Sequence, residues 1–179
     1  STTGLPTMED TPRSKAVFNK SSYIQIDKDD ILNLKKNSLS EERKTMRICL
    51  HDSPKATLHE MLIVYSKDAY TRPHKHLRKT ETNHIISGEM DLFLFNDAGD
   101  ITQKVSLGDF NSGKPFCFRI APLTYHSILP KTDFVVFHEV TNGPFLRKET
   151  IFEDWAPKEN TEAANSFIKN LKSFSSDLN

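Results

Sequence analysis

From Met46 to Pro157 the chain reads as short apolar runs broken by turn residues. RICLH, MLIVYS, NHIIS, MDLFLF, ITQKVSL, FCFRIA and FVVFHEV are rich in β-branched and aromatic residues. SGE, NDAGD, LGDFNSG and TNGP supply the turn chemistry between them. Many short strands without intervening helices predict an all-β sandwich, barrel or jelly roll. The period changes on both flanks. Asp27 to Asn37 predicts a short helix, with acids in its first turn, Ile31, Leu32 and Leu34 as an apolar cluster, and lysines late. Ala164, Phe167, Ile168, Leu171 and Phe174 recur at helical spacing and predict a C-terminal amphipathic helix.

The expected organisation is a disordered arm over 1–15, a helical extension over 16–45, a β-barrel over 46–157 and a helix over 158–179. MDLFLF is apolar on both faces, through Met90, Leu92 and Leu94 on one side and Phe93 and Phe95 on the other. A barrel strand ordinarily shows one polar face. The second face must be covered by the C-terminal helix or by a second subunit, and a homodimer is expected.

Composition narrows the function classes. The 24 basic and 24 acidic residues cancel, which removes the electrostatic footprint of a general nucleic-acid binder. Two cysteines, Cys49 and Cys117, make no disulfide framework. Cys117 is expected as a core thiol. There is no apolar run long enough for a membrane span, and the first residues, STTGLPTMEDTPRS, lack the charged and apolar regions of a secretory signal. The expected setting is the cytoplasm, with Met8 as an expected native start.

Candidate chemistry concentrates in Arg72 to Glu89, RPHKHLRKTETNHIISGE. Residues i and i+2 of an extended strand face the same way, so His74 and His76 present two imidazoles to one point. Glu81 adds an oxygen donor from the next strand, and Gly88 permits the turn into MDLFLF. His126, in IAPLTYHSILP, supplies a fourth donor. This set suits one divalent transition metal (zinc, iron, manganese, nickel or copper) better than calcium or magnesium. The same parity turns Arg72 inward beside His74, where it meets either a ligand anion or an acidic neighbour. Asn83 shares the inward parity of Glu81 and is a candidate for a ligand hydroxyl, whereas His84 points outward. Tyr125 is a weaker candidate ligand contact. His138 and Glu139 must face opposite ways, and parity alone does not say which enters the barrel.

These motifs resemble the cupin superfamily. His74, His76 and Glu81 followed by Gly88 look like its first motif, and His126 looks like the histidine of its second. The Pro-x-Gly turn of that second motif is Ala121-Pro122-Leu123 here, and Tyr125 stands at its tryptophan position. Within the superfamily, AYTRPHKH, APLTYHS, FHEVTNGPF and WAP are similar to WbuC-type cupin-fold metalloproteins, found with bacterial surface-polysaccharide genes. RICLH resembles the upstream segment of that family, which makes His51 a ligand-contact candidate on resemblance alone. The resemblance implies a jelly-roll β-barrel with one divalent metal on three histidines and one glutamate. The first functional expectation is an enzyme of isomerase or epimerase type acting on an anionic sugar or nucleotide-sugar, and the resemblance supports that substrate class, not the reaction. An iron-dependent dioxygenase and a non-catalytic sugar-binding module are the alternatives.

Overall fold

The computed structural model of the protein describes residues 15–175. The expected arm lies almost wholly outside them. Eleven strands and two helices follow in order: β1 (Lys15–Phe18), α1 (Lys28–Ser38), β2 (Thr45–Cys49), β3 (Leu58–Ser66), β4 (Lys75–His76), β5 (Glu81–Ser87), β6 (Glu89–Phe95), β7 (Ile101–Gly108), β8 (Cys117–Ile120), β9 (Tyr125–Pro130), β10 (Phe134–Asn142), β11 (Thr150–Ile151) and α2 (Glu162–Ser173). A six-stranded sheet runs β1-β2-β3-β10-β5-β8, a three-stranded sheet runs β7-β6-β9, and β11 pairs with β4. All pairings are antiparallel except β1 with β2. This is a jelly roll, one of the all-β architectures that the strand pattern predicts and the one that the resemblance implies.

The period of two sorts each strand between two environments. In β6, Met90 and Leu92 join Ile85, Leu107 and Phe137 in the core between the sheets. Phe93 and Phe95, from the opposite face of that strand, join Tyr125, Leu129 and Leu171 in a second cluster. That cluster is closed by Phe167 and Ile168 of α2 and by Trp155. The second apolar face of MDLFLF is therefore covered by the chain's own helix and does not call for a partner subunit.

Helix α1 begins with a reciprocal cap. Asp30 N–H donates to Asp27 Oδ1 at 3.0 Å, and Asp27 N–H donates to Asp30 Oδ2 at 2.9 Å. Leu34 and Ile31 pack on Met46, Val64 and Val136, the outer face of the large sheet. Leu32, expected in that apolar cluster, is instead exposed. It lies on the far side of the helix, because residues i and i+3 share a face while i and i+1 do not.

Gly88 shows why the β5–β6 turn needs glycine. Its φ is +86°, and a Cβ there would lie 2.2 Å from the Phe134 carbonyl oxygen. The turn and the sheet core together fill one end of the barrel and leave the other end open for side chains of different chemistry.

Leu171 is 1% exposed beneath the small sheet. Leu171→Ala should cost about 2–4 kcal/mol, read as a lower midpoint in urea unfolding, with no change in metal content. A loss below about 1 kcal/mol would show that α2 is not a structural part of the small sheet.

Candidate metal centre

Four side chains meet at the open end of the barrel, and backbone pairing brings them there. His74 N–H donates to the His126 carbonyl at 3.2 Å, and His126 N–H donates back to the His74 carbonyl at 3.0 Å. Leu123 N–H donates to the His76 carbonyl at 2.8 Å. Glu81 enters from β5 in the large sheet.

Each imidazole is oriented from behind. Nδ1 of His74 bonds the Arg72 carbonyl at 2.8 Å, and Nδ1 of His126 bonds the Thr124 carbonyl at 2.9 Å. Nδ1 of His76 meets the Thr150 hydroxyl at 3.1 Å, with Thr150 held opposite His76 by the β4–β11 pair. A carbonyl oxygen can only accept, so Nδ1 is the donor in His74 and His126 and Nε2 is the atom turned toward the other donors. This is the arrangement by which protein groups orient metal-ligating histidines.

The donor atoms fit a metal. Ligand nitrogens of His74, His76 and His126 lie within 4.8 Å of one another. Nε2 of His76 is 2.9 Å from Glu81 Oε1, and Nε2 of His126 is 3.2 Å from Glu81 Oε2. Two donors ~2.1 Å from a common cation and at right angles to it are ~3.0 Å apart. The 2.9 Å contact is out of hydrogen-bonding alignment, which leaves the buried Nε2 of His76 without a partner. A cation facing that lone pair satisfies it.

The charge states differ between the donors. Burial, then the His126 and His76 rings, push His74 down to about 3. It is a neutral imidazole at ordinary pH. Burial pushes the Glu81 carboxyl up, but His126 and His76 outweigh it and hold it well below the carboxylate range. Glu81 also drives His126 upward against the effect of burial.

The four donors open into a cavity of about 680 Å³, inside the ~300–1,000 Å³ range of small-molecule pockets. Arg72 lines it. Its Nε donates to the Ala156 carbonyl at 2.9 Å, and its guanidinium lies 4.7 Å from the Phe152 ring centre. Among the described residues no carboxylate lies within ion-pair distance of Arg72. Asn83 is 4% exposed, and its Oδ1 is buried without a hydrogen-bond partner. His51 also lines the cavity, stacked on His59 with ring centres 4.0 Å apart.

Tyr125 is placed elsewhere. Its ring sits in the cluster under α2, and its hydroxyl donates to Glu153. Burial, then that bond, push its hydroxyl pKa up. The expectation of a ligand contact there is corrected: Tyr125 and His126 are consecutive strand residues and must face opposite ways. Cys117 is also corrected, from core thiol to exposed thiol, because it pairs with outward-facing His84 while Phe118 turns into the cavity. Cys49 is the buried cysteine, and burial raises its pKa.

Parity left β10 undecided. Glu139 turns inward beside Asn83, its cross-strand partner, and His138 turns outward, 3.4 Å from Glu60. Burial, then the Glu81 charge, push the Glu139 carboxyl up to about 8. Sequence reasoning also passed over His59 and Thr150. The His51–His59 alignment needs the β2–β3 register, and Thr150 needs a two-residue strand too short to leave a periodic signal.

The comparisons with known proteins bear on the fold. The capsular polysaccharide assembling protein CapF from Staphylococcus aureus matches over 63% of this chain and 32% of its own, at 16% identity and a TM-score of 0.50. The fold is the cupin jelly roll. Two further cupin likenesses score lower. A mutant of oxalate decarboxylase from Bacillus subtilis matches over 60% of this chain and 27% of its own, at 16% identity and a TM-score of 0.47. Protein SO0799 from Shewanella oneidensis matches over 57% and 65%, at 10% identity and 0.47. The chain thus spans less than two thirds of each of these proteins, and only about a third of CapF. A family model described as a domain of unknown function, DUF6016, matches residues 26–107. That match is under half of the cupin-fold chain and stops before His126. No curated protein matches the sequence. Among the described residues no helix is long and apolar enough to cross a membrane.

Purified without chelator, the protein should carry about one divalent metal per chain by elemental analysis, and His76→Ala should lose it. Thr150→Val should keep the fold and weaken metal affinity about 10–100-fold. A wild type that no divalent metal fills would overturn the centre. The turn before His126 offers an independent check. Leu123 holds φ at +65° where the resembled motif has glycine, a left-handed conformation costing about 1 kcal/mol for a side-chain residue. Leu123→Gly should raise the melting temperature by about 2–4 °C.

Proposed function

We propose that the protein is a metal-dependent enzyme of isomerase or epimerase type, acting on an anionic, hydroxyl-bearing small molecule of sugar class. The observation that carries this reading is Glu139. It is a cavity-lining carboxyl whose proton is held to about 8, beside an unpartnered Asn83 and diagonal across the strands from the ligand Glu81. A group titrating near the working pH is suited both to take and to return a proton.

His74, His76, Glu81 and His126 would hold the metal, and a divalent metal there supplies Lewis-acid polarisation of a substrate oxygen. The chain's own residues do the rest. Glu139 takes a proton from the substrate carbon next to a carbonyl and returns it to the neighbouring position or the opposite face. Asn83 Oδ1 accepts from a substrate hydroxyl. The Arg72 guanidinium, stacked on Phe152 and without a carboxylate partner among the described residues, binds the acidic group. The barrel walls keep bulk water from the proton in transit.

CapF is named a capsular polysaccharide assembling protein, and the likeness to it carries the fold alone. The sugar class is supported by the polar side chains set in a largely apolar cavity, among them Arg72, Asn83 and Glu139, and by the sequence resemblance to WbuC-type proteins, which also supports a place in surface-polysaccharide synthesis.

A screen of nucleotide-sugars, sugar phosphates and free sugars against metal-loaded protein tests the reading. Anionic sugars should bind, and Arg72→Ala should weaken them roughly ten- to a hundredfold while metal content holds. Glu139→Gln should keep binding and lose about a hundredfold or more in turnover. Binding without turnover in the wild type would make the protein a binding module instead. Stability gives a second check on Glu139. Its folded value of about 8 lies above its ordinary 4.5, so the folded state holds the extra proton between the two. The stabilisation is complete below pH 4.5 and is lost as pH rises through 8. Glu139→Gln should flatten the fall of melting temperature across that window, and an unchanged profile would rule out the raised carboxyl.

A further inference from the structure

The cavity holds more positive charge than the reading above uses. Besides Arg72 it is lined by Arg47 of β2 and by Lys79, two residues before Glu81. Lys79 is 7% exposed. Its ammonium lies 4.9 Å from the Phe145 ring centre, and among the described residues no carboxylate comes within ion-pair distance of it. Arg47 is half-buried, and its Nε is buried without a hydrogen-bond partner. Among the described residues its guanidinium makes one hydrogen bond, a weak one from Nη1 to the Met61 sulfur at 3.5 Å. Among the described residues it too has no carboxylate at ion-pair distance.

The two cations share one locus. Both act on the His51 imidazole and both act on the Glu139 carboxyl. Arg72 is anchored instead at the Phe152–Ala156 segment, through the Ala156 carbonyl and the Phe152 ring. Taking a charge out of water without a contacting partner is costly, and among the described residues no carboxylate contacts either cation: Glu81, Glu139 and Glu149 act on Lys79, and Glu139 on Arg47, only from beyond ion-pair distance.

We propose that Arg47 and Lys79 form a second anion-binding subsite, so that the ligand carries two acidic groups, one at Arg72 and one at Arg47 and Lys79. This rests on the metal-dependent sugar-class reading for what lies between them. The class is then a polyhydroxy compound acidic at both ends, such as a bisphosphorylated sugar or a phosphorylated sugar acid. Arginine contributes a planar fork and lysine a point charge, the pairing that phosphate groups commonly meet.

Inorganic phosphate is the probe. It is titrated into metal-free full-length protein at constant ionic strength, with thermal unfolding as the readout, for wild type, Arg72→Met, Arg47→Met and Arg47→Met/Lys79→Met. Without phosphate, the variants lacking Arg47 or Lys79 should melt at or above the wild-type temperature, because an unpaired buried charge has been removed. With phosphate tenfold above its Kd, wild type and Arg72→Met should gain about 3–5 °C. Removing Arg47 and Lys79 as well from Arg72→Met should leave a gain of no more than 1 °C. Three results would overturn the subsite: no gain in Arg72→Met, an equal gain in that triple variant, or double-variant melting well below wild type without phosphate, which would mark the cations as structural. Metal content, measured on the same variants, separates this from the earlier reading. An intact metal centre with no Arg47- and Lys79-dependent phosphate effect removes only the second subsite.

Discussion

Two backbone hydrogen bonds, between the amide and carbonyl groups of His74 and His126, set the geometry on which the site depends. They make the approach to β4 a direct neighbour of β9, and so place residues 52 positions apart in chain opposite one another. Side-chain alternation then turns both imidazoles to the same interior. Glu81 arrives from the other sheet, so the centre ties the two walls of the barrel at its open end. Ile85, Met90, Leu92 and Phe137 pack between the sheets, and Met90 and Phe137 also line the cavity.

The site is built against local stability. Lys79 and Arg47 are drawn from water with no carboxylate in contact among the described residues, Asn83 keeps an unpartnered oxygen, and Leu123 holds a left-handed backbone. Each is a cost that an apolar core residue or a glycine would avoid. Arg47, Lys79 and Asn83 line the cavity and Leu123 adjoins His76, whereas Thr45 Oγ1 is a buried unpartnered atom, and Lys44 and Asn160 hold left-handed backbones, outside its lining. Uncompensated polar groups gathered in one cavity are the physical signature of a place where something else binds.

Much of this was legible in the chain because strand parity is a local property. His74 with His76, and Glu81 with Asn83, share a face by virtue of spacing alone, and Met90 with Phe93 divides between faces for the same reason. What parity does not contain is register between distant strands. Whether His138 or Glu139 turns inward depends on where β10 meets β5, and the bulge between Val136 and Phe137 shifts that meeting. Cys117 followed the same rule and was misjudged because its hydrophobic neighbours suggested burial. Tyr125 was misjudged for another reason. The turn before it runs through a left-handed leucine, so the parity of the following strand could not be counted from the preceding one.

The corrected place of Tyr125 gives it a different part in the site. It stands next to His126 on β9 and faces the other way, into the cluster of Phe93, Phe95, Trp155 and α2. Its hydroxyl is fixed on Glu153, and Lys75 lies 4.5 Å from its ring centre. Rotation of this strand segment would pull a buried aromatic ring out of that cluster. The backbone that carries His126 is thus held from behind by apolar packing and from the side by the pair with His74. Helix α2 never approaches the cavity, yet by covering Tyr125 it helps keep a metal ligand aimed inward. This is the physical link between the amphipathic C-terminal segment and the chemistry of the barrel.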